Sequence, residues 1–253
     1  MISERTLAAS FESFWMELLP LLTPRFVTLF NEGHSQGLND ANGHLLGELP
    51  IGENIERPDI VAEFAFQLAK QCWRVQFPLD EIQETSPLTH DAENEAFKLI
   101  LRYEGKPPSV SVPLSECEKR EGMELCRRYS SLYRLFDRDK EVRFSPKFSG
   151  SGILNSCEGD ISIGATLIEV KTTTRRVSGK DVRQLLVYAA LESQSGIVRW
   201  DEVAIFNPRR GMYYYAALEE LVLSLSGGKP SIDVFSEMIA FLESGHSFIE
   251  SRF

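Results

Sequence analysis

Asp160, Glu169 and Lys171 are the residues whose types and spacing bear most directly on chemistry. They sit in the run Gly159-Asp160-Ile161-Ser162-Ile163-Gly164-Ala165-Thr166-Leu167-Ile168-Glu169-Val170-Lys171. Leu167, Glu169 and Lys171 alternate with Ile168 and Val170, so on a strand the acid and the base share one face. Gly164-Ala165 puts glycine at the first central position of a two-residue turn, as a type II′ hairpin requires. That turn pairs Ile163 with Thr166 and sets Asp160 opposite Glu169. Directly opposed Cβ atoms lie about 5 Å apart, and two carboxylates that close repel each other unless a cation sits between them. Mg²⁺ takes one or two carboxylates together with water and phosphate oxygens, and Mg²⁺ or Mn²⁺ is the expected cofactor. Such an ion polarises a phosphate and lowers the pKa of a bound water. Lys171, on the same face, can orient or deprotonate that water and stabilise developing negative charge.

Other metal chemistries find no support in the sequence. Cys72, Cys117, Cys126 and Cys157 are scattered without a C-x-x-C pair, and His34, His44, His90 and His246 are equally dispersed. No Cys/His cluster has zinc spacing, so carboxylates are left as the ligands. A plainer reading makes Glu169 and Lys171 an ion pair on an edge strand, worth about 0–1 kcal/mol. It leaves the register of Asp160 unexplained.

The acid followed by Glu169-Val170-Lys171 resembles the PD-(D/E)xK nuclease superfamily. Gln184-Leu185-Leu186-Val187-Tyr188 looks like the Q-x-x-x-Y element of its RecB-like branch, with both polar residues on one helix face. The resemblance covers roughly Glu116 to Tyr215. It implies an α/β, restriction-endonuclease-like mixed sheet flanked by helices. It further implies Mg²⁺-dependent hydrolysis of phosphodiester bonds, with DNA preferred. Asp160, Glu169 and the Val170 carbonyl would hold the metal, Lys171 would position the attacking water, and Gln184 with Tyr188 would line the site and support contact with nucleic acid. Family members often add an acid from the helix before the sheet; Glu121 and Glu118 are the candidates, and Glu118 suits a capping role better. The superfamily's proline is replaced here by Gly159. By association, such nucleases belong to restriction, repair or antiphage-defence systems. The alternative is a catalytically silent nucleic-acid-binding or protein-interaction subunit that keeps the fold.

Helical spacing and turn signals supply the supporting elements. Phe11, Phe14, Trp15, Leu18, Leu19 and Leu22 form an amphipathic stripe, broken by Pro20 and Pro24. Residues 33–54 are expected to be a loop. Helices are expected over Pro58–Arg74, Asp91–Tyr103 and Ser115–Phe136, the last opened by a Ser115/Glu118 capping box. Gly105-Lys106-Pro107-Pro108 marks a break, which divides the chain into a helical region, 1–110, and a nuclease domain, 111–253. Short strands follow at Val142–Pro146, Gly159–Ile163, Thr166–Thr172, Glu202–Phe206 and Met212–Tyr215. A helix from Gly179 to Glu192, capped by Ser178 and Asp181, lies among them. A last helix runs over Ser231–Glu243, with Gly245 just past its end.

Net charge is −10 over 253 residues, but it is unevenly distributed. Residues 1–118 hold 8 Lys+Arg against 19 Asp+Glu, a net of −11, whereas residues 119–210 hold 17 against 12, a net of +5. The basic middle suits phosphate. Arg175, Arg176, Lys180, Arg183, Arg209 and Arg210 are the candidate contacts, and Tyr213, Tyr214 and Tyr215 look like strand core. The acidic first part suits docking to a basic protein partner. No run approaches the roughly 20 apolar residues of a membrane span, so a cytoplasmic protein without membrane contact is expected.

Overall fold

A computed structural model describes residues 1–104, 112–137, 139–195 and 200–244. Both Gly105-Lys106-Pro107-Pro108 and Gly245 therefore lie outside the described residues. Ten α-helices are described: α1 Glu4–Ala9, α2 Glu12–Leu18, α3 Pro24–Gly33, α4 Pro58–Arg74, α5 Pro87–Glu104, α6 Glu116–Arg127, α7 Tyr129–Tyr133, α8 Gly179–Ser193, α9 Leu218–Ser226 and α10 Ser231–Ser244. The strands are β1 Ser35–Gly37, β2 Val142–Phe144, β3 Lys147–Phe148, β4 Cys157–Glu158, β5 Ile161–Ile163, β6 Thr166–Val170, β7 Glu202–Asn207 and β8 Met212–Ala217. Six of them form one mixed sheet in the order β1-β8-β7-β6-β5-β2, while β3 and β4 pair separately. β6 and β7 are parallel and joined through α8; the other pairs in the sheet are antiparallel.

Helices cover both faces of the sheet, so its strands alternate between two cores. Leu167, Val203, Ile205 and Tyr214 pack on one side with α8, α9, α10 and the first three helices. Ile161, Ile163, Ile168, Ala204 and Phe206 pack on the other with α4, α5, α6 and α7. α4 begins with Pro58 at its first turn and buries Ile60, Val61, Phe64, Ala65, Leu68 and Cys72 at helical spacing. Each large apolar side chain there contributes about 1.5–3 kcal/mol. α6 comes so close to α4 that a Cβ at Gly122 would lie 2.4 Å from the Phe64 ring.

The expected division near residue 110 has no counterpart in this packing. Residues 1–104 place helices on both faces and contribute β1, the edge strand inside the expected loop. The expected helix over Ser115–Phe136 is also interrupted. α6 ends at Arg127, a tighter Ser131 N–H to Arg128 carbonyl bond follows, and α7 stops at Tyr133. The capping boxes at Ser115/Glu118 and Ser178/Asp181 both form. Among the described residues, no helix is long and apolar enough to cross a membrane.

Candidate active site

The turn between β5 and β6 sets the geometry of the site. Gly164 has φ +56 and Ala165 does not share the left-handed region, which fits a type II′ turn. Ile163 pairs with Thr166, Ser162 with Leu167 and Ile161 with Ile168. Asp160 lies one residue beyond that register, on the side of Glu169, and its Oδ2 accepts the Val170 N–H at 2.7 Å. On its other side Glu169 is paired with Ile205 of β7, which leaves the carboxylate 2% exposed.

Lys171 continues past the strand end and turns back over Glu169. Its Nζ donates to Glu169 Oε1 at 2.7 Å and to Gln184 Oε1 at 2.8 Å. Gln184 Nε2 in turn donates to the Tyr188 hydroxyl at 2.8 Å, one turn along α8. Tyr188 is buried with its ring stacked on Phe148, so it braces Gln184 from the interior and exposes no face to a base. Asp181, the capping acid of α8, lies 3.9 Å from Lys171 and is held by Arg175 at 2.8 Å.

Burial, followed by the charge of Glu169, pushes the Asp160 carboxyl well above the usual carboxylate range; Lys171, the Val170 N–H and Arg5 oppose the rise. Burial pulls the Lys171 ammonium down, but the charge and hydrogen bond of Glu169, with Asp160 and Asp181, raise it above its ordinary value. Lys171 is thereby kept as an ammonium, which favours orienting and charge-stabilising work over proton abstraction. Glu169 Oε2 is buried and finds no hydrogen-bond partner among the described residues. A buried oxygen of that kind costs on the order of 1–3 kcal/mol or more until something binds it.

No protein-family model and no curated protein matches this chain. The donor set itself decides which group would fit. Among the described residues, no three His, Cys, Asp or Glu side chains are grouped to hold a metal by themselves. Two adjacent carboxylates, one with an unpartnered oxygen, suit a Mg²⁺ or Mn²⁺ ion that keeps several water or phosphate oxygens.

The other expected residues divide by environment. Glu121 is committed elsewhere: Oε1 pairs with Arg209 at 2.7 Å and Oε2 accepts the Gly52 N–H at 2.9 Å. Its place on α6 turns it toward the 207–211 turn, so the expectation that it completes the metal set is corrected. Arg209 is itself 1% exposed and serves this internal pair, not a phosphate. Arg210 ties the Thr174 carbonyl to Glu48. Arg183 lies over the Trp15 ring. Only Arg176 and Lys180 of the expected phosphate contacts are exposed without an ion-pair partner among the described residues. Glu118 caps α6 and pairs with Arg57.

One acid was not anticipated. Burial raises the Glu63 carboxyl, against a Gln67 hydrogen bond and the charges of Arg5 and Lys70. The charge of Arg5 on α1 also lowers the Asp160 carboxyl, so these two acids feel the same guanidinium. The available signal was the Glu63–Gln67 pair, two polar residues at helical spacing among the buried apolar positions of α4.

Proposed function

We propose that the protein is a Mg²⁺-dependent hydrolase of phosphodiester bonds in nucleic acid, with DNA preferred and a restriction-endonuclease-like core. The observation that carries this reading is Glu169 Oε2, buried without a partner among the described residues beside Asp160, with Lys171 fixed by Gln184. Asp160, Glu169 and the Val170 carbonyl would hold the ion, which when bound polarises the scissile phosphate and acidifies a water. Lys171 keeps its proton and points an N–H toward the incoming water and the charge that develops on phosphate oxygen. Gln184 fixes the direction of that ammonium, and Tyr188 fixes Gln184. Water oxygen forms the new bond to phosphorus as the bond to the leaving sugar oxygen breaks; the attacking water gives up a proton to solvent, and the leaving oxygen takes one up from it. Arg176 and Lys180, exposed beside the start of α8, offer sequence-independent phosphate contact.

The test is incubation of plasmid, linear duplex and single-stranded DNA, and RNA, with Mg²⁺ or Mn²⁺, beside Glu169→Ala and Lys171→Ala. Metal-dependent cleavage by the native protein is expected, reduced by about 10²–10³-fold or more in each variant. Cleavage that survives both substitutions removes the site assignment. Salt-dependent binding without any cleavage makes the protein a binding module.

A further inference from the structure

The chain between Lys171 and Ser178, the cap of α8, is neither helix nor strand. Lys171 stands at its start and Gln184 on the helix beyond its end, so the 2.8 Å Lys171–Gln184 bond closes a loop whose shape this segment sets. Connections of that kind are ordinarily more mobile than the elements they join. Here two buried asparagines from distant parts of the chain hold it. The Lys171 N–H still donates to the Phe206 carbonyl at 2.9 Å, continuing the β6–β7 ladder one residue past Val170. Asn207 follows Phe206, and its side chain takes over where the main chains part: Nδ2 donates to the Thr173 carbonyl at 2.8 Å, and Oδ1 accepts the Arg210 N–H at 3.1 Å. The Arg210 guanidinium adds a bond to the Thr174 carbonyl at 2.7 Å.

Asn31 of α3 holds the other end. Its Oδ1 accepts the Val177 N–H at 3.1 Å, and its Nδ2 donates to the Val177 carbonyl at 2.9 Å and to the Val27 carbonyl at 2.7 Å. One side-chain amide thereby occupies both backbone groups of the residue before the α8 cap. The amide carries a donor and an acceptor on one short stem, which a carboxylate does not. From that fixed start a helix places Gln184 by its own regular rise.

We propose that Asn31 and Asn207 are positioning residues, which fix the β6–α8 connection at its two ends and so set how Lys171 meets Gln184. The assignment rests on the hydrolase reading above and adds residues that touch neither metal nor substrate. It acts through one contact, and that makes it separable from a general contribution to folding.

The experiment compares the native chain with Asn31→Ala and Asn207→Ala, each alone and combined with Gln184→Ala, and with Leu79→Ala as a buried apolar control. Cleavage in Mg²⁺ is measured well below each melting temperature. Acylation of Lys171 by acetic anhydride, read by mass spectrometry against the exposed Lys98, follows the lysine without any cleavage. Each asparagine variant is expected to lower kcat about three- to tenfold, as for loss of one or two neutral hydrogen bonds, with KM little changed. In the Gln184→Ala background the same substitutions should lower kcat by less than about twofold, because the contact they set is already gone. Lys171 acylation should quicken in both, while Leu79→Ala lowers the melting temperature and leaves kcat and acylation as they are. A native protein that cuts, with asparagine variants that keep kcat or lose it to the same extent with and without Gln184, overturns the assignment alone. A native protein that cuts nothing removes the hydrolase reading. Acylation then decides this one, and a native Lys171 rate in both asparagine variants overturns it.

Discussion

Lys171 Nζ donates to Gln184 Oε1 at 2.8 Å, so the lysine at the end of β6 is aimed by a helix that follows it in the chain. Gln184→Ala leaves the carboxylates in place and frees the ammonium to swing. A hydrogen bond to a charged group contributes about 1.5–3 kcal/mol, so kcat is expected to fall by roughly 10–150-fold with KM little changed. Steady-state cleavage rates check this. A rise in KM at constant kcat would mean that Gln184 binds substrate and does not aim Lys171.

Tyr188 stands one step further back. Tyr188→Phe removes the acceptor of the Gln184 Nε2 bond inside the protein and leaves a buried amide donor unpaired. The expected cost is about 1–2 kcal/mol, or about 2–8 °C in Tm for a chain of this size. The fall in kcat should be smaller than for Gln184→Ala, because Oε1 still faces Lys171. Thermal melts beside kcat values read both effects. An unchanged Tm combined with weaker DNA binding would return Tyr188 to the substrate surface.

The parts of the site that could be read from the sequence are those set by local geometry. Gly164 determines the hairpin, and the hairpin determines that Asp160 meets Glu169. Capping residues and Pro58 mark the helix starts because they act within one turn. What escaped depends on distant chain segments. β1 is Ser-Gln-Gly, which has no strand propensity of its own and becomes a strand only by pairing with β8. α9 starts straight from β8 with no turn residue between them. Arg209 sits in a turn, where a cation is ordinarily solvated, and is buried because Glu121 and the Leu49 carbonyl come to it from elsewhere. Glu63 lies nearly one hundred residues before Asp160, and the charge of Arg5 that both feel comes from a third segment of the chain.

The raised Asp160 carboxyl carries a pH dependence opposite to the usual acid. Its ordinary value is 3.8, and in the folded protein it titrates well above that. Between the two values the folded state keeps a proton that the unfolded chain has lost. Stability from this group is therefore full below the ordinary value and is lost as pH rises through the folded one. In EDTA, Asp160→Asn is expected to be more stable than the native protein at pH 7, with the gap closing as pH falls toward 4. Added Mg²⁺ should stabilise the native protein only, releasing a proton as it binds. Melting curves across pH, with and without Mg²⁺, test both signs. If the native protein instead became more stable relative to Asp160→Asn as pH rises from 5 to 8 in EDTA, that would contradict the electrostatic account.

Glu121 is committed to Arg209, whereas Glu63 feels the same Arg5 charge as Asp160, and two substitutions separate their effects. Glu121→Ala strands the buried Arg209 guanidinium, whose partner lies at 2.7 Å. Breaking one side of such a pair costs about 3–5 kcal/mol, while the folded fraction should bind Mg²⁺ as tightly as the native protein. Glu63→Gln does the reverse. It removes a carboxyl that burial already disfavours as a charge, so stability should hold or rise slightly. A negative charge that Arg5 offsets, as it does that of Asp160, is lost, and Mg²⁺ affinity and kcat should both fall. Calorimetric Mg²⁺ titration beside thermal melts distinguishes the two patterns. Weak metal binding by folded Glu121→Ala, with a native response from Glu63→Gln, would restore Glu121 to the metal site.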